Sequence, residues 1–271
     1  MLKIVKIGGN IVDNPEKLDR FLTDFAALEG DKILVHGGGK VATTICRSLD
    51  IETVMIKGRR VTDEQTLRVV TMVYAGLINK TIVGKLQRAG CDALGLCGAD
   101  GQLIRSVRRA PRPVDYGYVG DPAAVNTELA GKLLSAGFTL VAAPITFDPD
   151  RGELLNTNAD TVASALAVAM AGGQPGKSVP DGACTAGREV ELIYCFEKRG
   201  VLRDVDDENS VIPRIDRAEY ARLQAGGVVA DGMLPKLDNA FRAIENGVAR
   251  VVICSAESIS EKGYGGTTLV K

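Results

Sequence analysis

Apolar and polar residues alternate along the chain in two spacings, one of strands and one of helices. Residues 2 to 7 form a short apolar run read as a strand, and Gly8-Gly9 follows it directly. Asn14-Pro15 announces a helix that stops near Gly30, with Leu18, Phe21, Leu22 and Phe25 on one face. Ile33 to Val35 give a second strand, then comes His36-Gly37-Gly38-Gly39, and Val41, Ile45 and Leu49 mark another helix. Strand, glycine turn and helix therefore occur twice near the start of the chain.

Thr62 can cap a long helical region running to Gly90, with a break expected near Gly76, and Ala93 to Leu96 return to strand. The Asp100-Gly101 turn sits between short β-like pieces; Val125 to Ala136 read as a helix ended by Gly137, leading to the strand Leu140 to Ala143. Helices over Ala159 to Met170, Asp216 to Gln224 and Leu234 to Glu245, and strands over Leu192 to Cys195 and Val251 to Cys254, complete the pattern. Such alternation predicts an α/β protein whose parallel sheet is covered on both faces. One compositional break, Gly172 to Arg188, holds five glycines and two prolines without apolar periodicity. It reads as a loop, 172–188, between an N-terminal lobe over 1–171 and a C-terminal lobe over 189–271 of a single domain.

Composition narrows the function classes. A net charge of -1, the absence of tryptophan and an aromatic content of 4% argue against a nucleic-acid platform and for a small-molecule partner. The six cysteines lie scattered in apolar stretches and form no C-x-x-C pair, so they read as buried thiols. The strand-like start at Met1-Leu2-Lys3-Ile4 has no leader pattern, which points to the cytoplasm. The apolar segments 138–147 and 162–171 fall short of the roughly 20 residues of a membrane helix, so no membrane is expected.

Two glycine turns between strand and helix let backbone N–H groups approach anions, which suggests two anionic partners. Gly37 to Ala42 also satisfies the loose dinucleotide pattern G-x-G-x-x-A, but no acidic residue follows at a strand end about 20 positions later. Gly176-Lys177-Ser178 resembles the end of a P-loop, yet Ala171 stands where its first glycine is needed. Lys6 closes the first strand and Lys236 opens a helix, where the macrodipole disfavours a cation unless an anion is near. Asn156, Asn158 and Asp160 cluster before the Ala-rich helix, although one cap does not need three residues. Arg59-Arg60 reads equally as a solvated pair or as a carboxylate clamp.

Taken in order, Lys6-Ile7-Gly8-Gly9, His36-Gly37-Gly38-Gly39, Gly58-Arg59-Arg60-Val61-Thr62 and Asn79-Lys80 resemble the acetylglutamate kinases of the amino-acid kinase family. The resemblance continues through Gly95-Leu96, Asp100-Gly101, Gly117-Tyr118-Val119-Gly120, Asn156-Thr157-Asn158-Ala159-Asp160, Asp231-Gly232-Met233 with Lys236, and Gly266-Thr267. It implies a three-layer αβα sandwich around a mainly parallel open sheet. It implies ATP-dependent phosphorylation of the side-chain carboxylate of an N-acylated glutamate, N-acetylglutamate foremost, with ATP as co-substrate and Mg²⁺ held chiefly by its phosphates. Lys6 and Lys236 would stabilise the transferring phosphoryl group and Asp160 would hold them in place. Gly38, Gly39, Arg60 and Asn156 would bind the amino acid, and Gly8, Gly9, Gly200, Gly232 and Met233 the phosphates and nucleotide. No dedicated protein metal site is expected. N-succinylglutamate, an N-acylated aminoadipate, or a catalytically inactive ligand-binding protein on the same scaffold are the alternatives.

The chain departs from that family at Cys195-Phe196-Glu197, where relatives carry Thr-Asp or Ser-Asp, and in the length of 172–188. The first strand begins where arginine-inhibited relatives carry an extra helix, so a homodimer without strong arginine feedback is expected.

Overall fold

The computed structural model describes residues 1–56, 58–175, 187–204, 206–229 and 233–271. Its strands, in chain order, are β1 (Leu2–Ile7), β2 (Lys32–His36), β3 (Met55–Ile56), β4 (Arg59–Arg60), β5 (Ala93–Leu96), β6 (Ile104–Arg108) and β7 (Gly120–Val125). They continue as β8 (Thr139–Ala142), β9 (Ile145–Asp148), β10 (Glu153–Asn156), β11 (Val190–Phe196), β12 (Arg214–Ile215), β13 (Arg250–Ser255) and β14 (Thr267–Leu269). The helices are α1 (Gly9–Val12), α2 (Pro15–Ala26), α3 (Gly39–Ser48), α4 (Glu64–Thr71), α5 (Asn79–Arg88), α6 (Thr127–Ser135), α7 (Ala159–Met170), α8 (Arg217–Ala225) and α9 (Leu234–Glu245).

The main sheet has the order β12-β14-β13-β11-β1-β2-β8-β5. Every pairing in it is parallel except β13 with β14. Its central strands are apolar on both faces because helices cover both. Leu2, Ile4, Leu192 and Tyr194 pack into one core with residues of α7 and α9, while Val5, Ile7, Ile193 and Cys195 pack into a second core with residues of α2, α4 and α5. This is the α/β sandwich that the alternation of strands and helices predicts.

Several features differ from the sequence expectations, among them the cap of α4, which is Asp63 and not Thr62. A second sheet, of order β10-β9-β6-β7, is built from the short pieces between 104 and 156, and its pairs are antiparallel except β6 with β9. Short strands of mixed polarity carry little period-2 signal, which explains why only β-like pieces were legible there. The helix expected to break at Gly76 does not break: α4 runs through a π-helical segment, Met72–Ile78, into α5. A widened turn absorbs the glycine without interrupting the rod. Together Glu64–Arg88 are long and apolar enough to cross a membrane by length and composition. Their Val69, Val70, Val73, Tyr74, Ile78, Ile82 and Leu86 are buried in the second core, as in a core helix. Most of the loop 172–188, with Gly176-Lys177-Ser178 and Cys184, lies outside the described residues.

Candidate active site

Strand alternation decides where Lys6 points. Leu2 and Ile4 belong to the core shared with α7 and α9, so Lys6, two residues on, faces the same way at the C-terminal end of β1. Asp160 lies in the first turn of α7 and Lys236 in the first turn of α9, and these helices pack against each other. Lys6 is buried, 8% exposed, and its Nζ stands 2.7 Å from Oδ1 of Asp160.

The three polar residues before α7 divide the work. Asn158 is the N-cap, its Oδ1 accepting from the backbone N–H of Asp160 at 2.8 Å and of Thr161 at 3.3 Å. Asn156 ends β10, buried, and donates to Thr62 Oγ1 at 2.9 Å. Asp160 is thereby free of capping and turns to Lys6.

A residue outside the sequence expectations completes the group. Phe196 closes β11 two positions after Tyr194, and the rings stack with centroids 6.0 Å apart. Lys236 Nζ lies 4.0 Å from the Phe196 centroid and Lys6 Nζ 5.3 Å from it. Burial pushes the Lys236 ammonium below the usual lysine value; Asp160 raises it and Lys6 lowers it again. The apolar run of β11 was legible, but its last residue was not assigned to the strand.

Two cavities meet at the lysine pair. One, of about 210 Å³, is lined by Gly37, Gly38, Gly39, Arg60, Asn156 and Lys6. The other, of about 320 Å³, is lined by Gly8, Phe196, Gly200, Met233 and Lys236, and Gly9 borders both. A larger space of about 650 Å³ shares Asn10, Phe196 and Glu197 with the second cavity. Gly232 lies outside the described residues.

Arg60 is 7% exposed, and its guanidinium donates to the neutral acceptors Gly39 O at 2.9 Å, Thr43 Oγ1 at 2.8 Å and Thr53 Oγ1 at 3.3 Å. Among the described residues no acidic side chain pairs with it. A buried guanidinium held in place by neutral acceptors can receive a ligand carboxylate.

Gly38 precedes α3 with φ 149°, and a Cβ there would fall 2.2 Å from Cδ1 of Ile78. The loop is fixed from behind by His36, fully buried and held neutral because burial lowers its pKa to about 4. His36 Nδ1–H donates to Gly37 O at 2.9 Å, and Nε2 accepts from Asn79 Nδ2 at 3.2 Å. Asn79 also donates to Val141 O at 2.9 Å and accepts from Lys80 Nζ at 3.1 Å. His36-Gly37-Gly38-Gly39 and Asn79-Lys80 thus form one structure.

Chemically, the arrangement offers two recesses for anions joined by two ammonium groups that share one carboxylate. Such a site can bring an anionic nucleophile against a phosphorylated ligand and neutralise the charge between them.

Comparison with known proteins agrees with this α/β fold. The sequence matches the amino acid kinase family over residues 1–173 and 189–255. It is 52% identical over 274 residues to the acetylglutamate kinase of Cytophaga hutchinsonii, covering 99% of this chain and 98% of that protein. It is 50% identical to the acetylglutamate kinase of Bacteroides thetaiotaomicron, covering 100% of this chain and 98% of that protein. The fold resembles N-acetylglutamate synthase from Neisseria gonorrhoeae complexed with coenzyme A and N-acetyl-glutamate, at a TM-score of 0.79 and 18% identity over 100% of this chain and 59% of that one. It also resembles the carbamate kinase from Giardia lamblia bound to AMP-PNP, at a TM-score of 0.68 and 11% identity over 100% of this chain and 98% of that one.

Proposed function

The chain belongs to the amino acid kinase family, and from its full-length likeness to acetylglutamate kinases we infer that it is one of them. It catalyses ATP-dependent phosphorylation of N-acetylglutamate, a step of arginine biosynthesis. The observation that carries the mechanism is the Lys6–Asp160–Lys236 group standing where the two cavities meet.

The side-chain carboxylate of the substrate is ionised at neutral pH, so attack on the γ-phosphorus needs no general base. The barrier is repulsion between two anions. In our reading Arg60 and the N–H groups of Gly38 and Gly39 hold the amino acid, with Asn156 beside them. Gly8 and Gly9 donate to the phosphates, and Gly200 and Met233 border the nucleotide. The adjoining larger space supplies the room a nucleotide needs. As charge develops on the transferring phosphoryl oxygens, Lys6 and Lys236 stabilise it from two sides while Asp160 fixes their positions. Among the described residues no three His, Cys, Asp or Glu side chains gather as a metal cage. In our reading Mg²⁺ would arrive with ATP and be carried chiefly by the nucleotide phosphates.

We further propose a homodimer in the cytoplasm. Met72 and Leu77 are 60% and 55% exposed on the π-helical segment, where residues five apart share a face, and such apolar side chains favour a partner. The described cysteines are free thiols, which fits a reducing compartment. Light scattering at the mass of a hexamer would overturn the dimer.

The test is hydroxylamine trapping of the acyl phosphate with MgATP and, side by side, N-acetylglutamate, N-succinylglutamate, free glutamate and N-acetylaminoadipate. Hydroxamate from N-acetylglutamate above the others is expected. Preference for the succinyl form keeps the mechanism and changes the substrate; no hydroxamate from any of them overturns the kinase reading.

A further inference from the structure

We propose that Phe196 is a positioning residue for phosphoryl transfer: its aromatic face seats the ammonium groups of Lys236 and Lys6 and holds Lys236 charged and aimed at the junction of the two cavities. The inference rests on the kinase reading above and adds a residue to it.

The geometry is specific. The ring receives one ammonium at 4.0 Å and a second at 5.3 Å from its centroid, both within the reach of cation–π attraction. Phe196 is itself fixed from below by Tyr194, whose hydroxyl donates toward Asp160 O at 3.4 Å. The aromatic pair, the carboxylate and both lysines are therefore one packed unit.

Charge accounting explains why a ring belongs there. Two ammonium groups share one carboxylate, and Asp160 reaches Lys6 directly. Lys236 faces Lys6 from β1, Asp160 from α7, and Phe196 from β11, with Glu197 and Lys198 on the wall of the same cavity. Partial burial and the neighbouring Lys6 both favour its neutral form, in which it cannot stabilise phosphoryl oxygens. The negative face of a ring favours the charged form without adding an anion that would repel the nucleotide.

The experiment replaces Phe196 by 4-fluoro-, 3,5-difluoro- and 3,4,5-trifluorophenylalanine in the full chain, alongside Phe196→Leu and Phe196→Tyr. Fluorination weakens the ring face while nearly preserving its shape, so a purely structural role predicts a flat series. The expected result is a stepwise fall in kcat along the series, reaching about 2- to 30-fold, with the KM for the acyl amino acid unchanged. Phe196→Tyr restores the rate and Phe196→Leu does not. In protein labelled with ¹⁵N-lysine, Lys236 loses its proton at lower pH in Phe196→Leu than in wild type, whether or not the wild type turns over. A flat fluorination series in an active enzyme, or an unmoved Lys236 titration, overturns the inference. Wild-type protein without any hydroxamate overturns the kinase reading instead, and the Lys236 titration then decides the seating alone.

Discussion

Lys6 Nζ stands 2.7 Å from Oδ1 of Asp160, a strand-end lysine meeting a carboxylate released from capping duty by Asn158. The pair holds its charge where the two cavities join. Lys6→Ala and Lys236→Ala are therefore expected to lower kcat by roughly 100-fold or more, the scale of a lost transition-state donor. Because the interaction strengthens in the transition state, kcat/KM should fall in parallel with kcat. Steady-state kinetics of both variants, with near-normal turnover in both as the contrary outcome, checks the assignment.

Arg60 makes a different prediction because its contacts belong to the ground state as much as to the transition state. Its fork touches Gly39 O, Thr43 Oγ1 and Thr53 Oγ1 at once. Arg60→Ala should raise the KM for the acyl amino acid roughly 10- to 100-fold with a smaller effect on kcat, the worth of charge-assisted hydrogen bonds to one carboxylate. Arg60→Lys should recover little of it, since an ammonium cannot reproduce the planar fork. A variant with unchanged KM would remove Arg60 from the carboxylate seat.

His36 should make stability depend on mildly acidic pH. Its folded-state pKa of about 4 lies below the ordinary value of 6.5, so below pH 6.5 the unfolded chain takes up a proton that the folded chain refuses. The stability contributed by neutral His36 is complete above that pH and is lost as pH falls toward 4. Between pH 7 and pH 5 the loss should be about 2 kcal/mol. Urea unfolding of wild type and His36→Gln at both pH values isolates the contribution. Equal pH dependence of the two proteins would contradict a neutral, buried imidazole.

Much of this was legible in the sequence for a physical reason: long elements buried on one side repeat their apolar residues at the period of the element. Ala159–Met170 and Leu234–Glu245 carry the same limits in pattern and structure. The sheet β10-β9-β6-β7 was not legible as a sheet, because its strands are short and one of them, β7, is mixed in burial along its length. In the site, the glycine turns and lysines announce themselves by oddity of placement. Asn156 and Asp160 stood out beside Asn158 because one helix start needs only one cap. Phe196 stood out only as part of a departure from the family pattern, with no role attached: a phenylalanine ending an apolar strand looks like core, and only the positions of two ammonium groups, brought from β1 and α9, give its face a role.

Gly38 offers a test of the loop geometry that is independent of charge. Its φ of 149° is one that L side chains rarely adopt, and a Cβ would lie 2.2 Å from Ile78 Cδ1 and 3.4 Å from the Tyr74 ring. Gly38→Ala therefore combines backbone strain with a steric clash, and it should destabilise the fold by about 2 kcal/mol or more. The two parts are separable, because truncating Ile78 removes the clash and leaves the dihedral. In Gly38→Ala/Ile78→Ala the added loss should be smaller than the sum of the single variants, with the shortfall measuring the clash. The KM for the acyl amino acid should stay raised in the double variant, since the loop N–H groups still point away from their glycine positions. Denaturant unfolding and kinetics on the three variants check both parts; strict additivity with a wild-type KM would place Gly38 outside the binding loop.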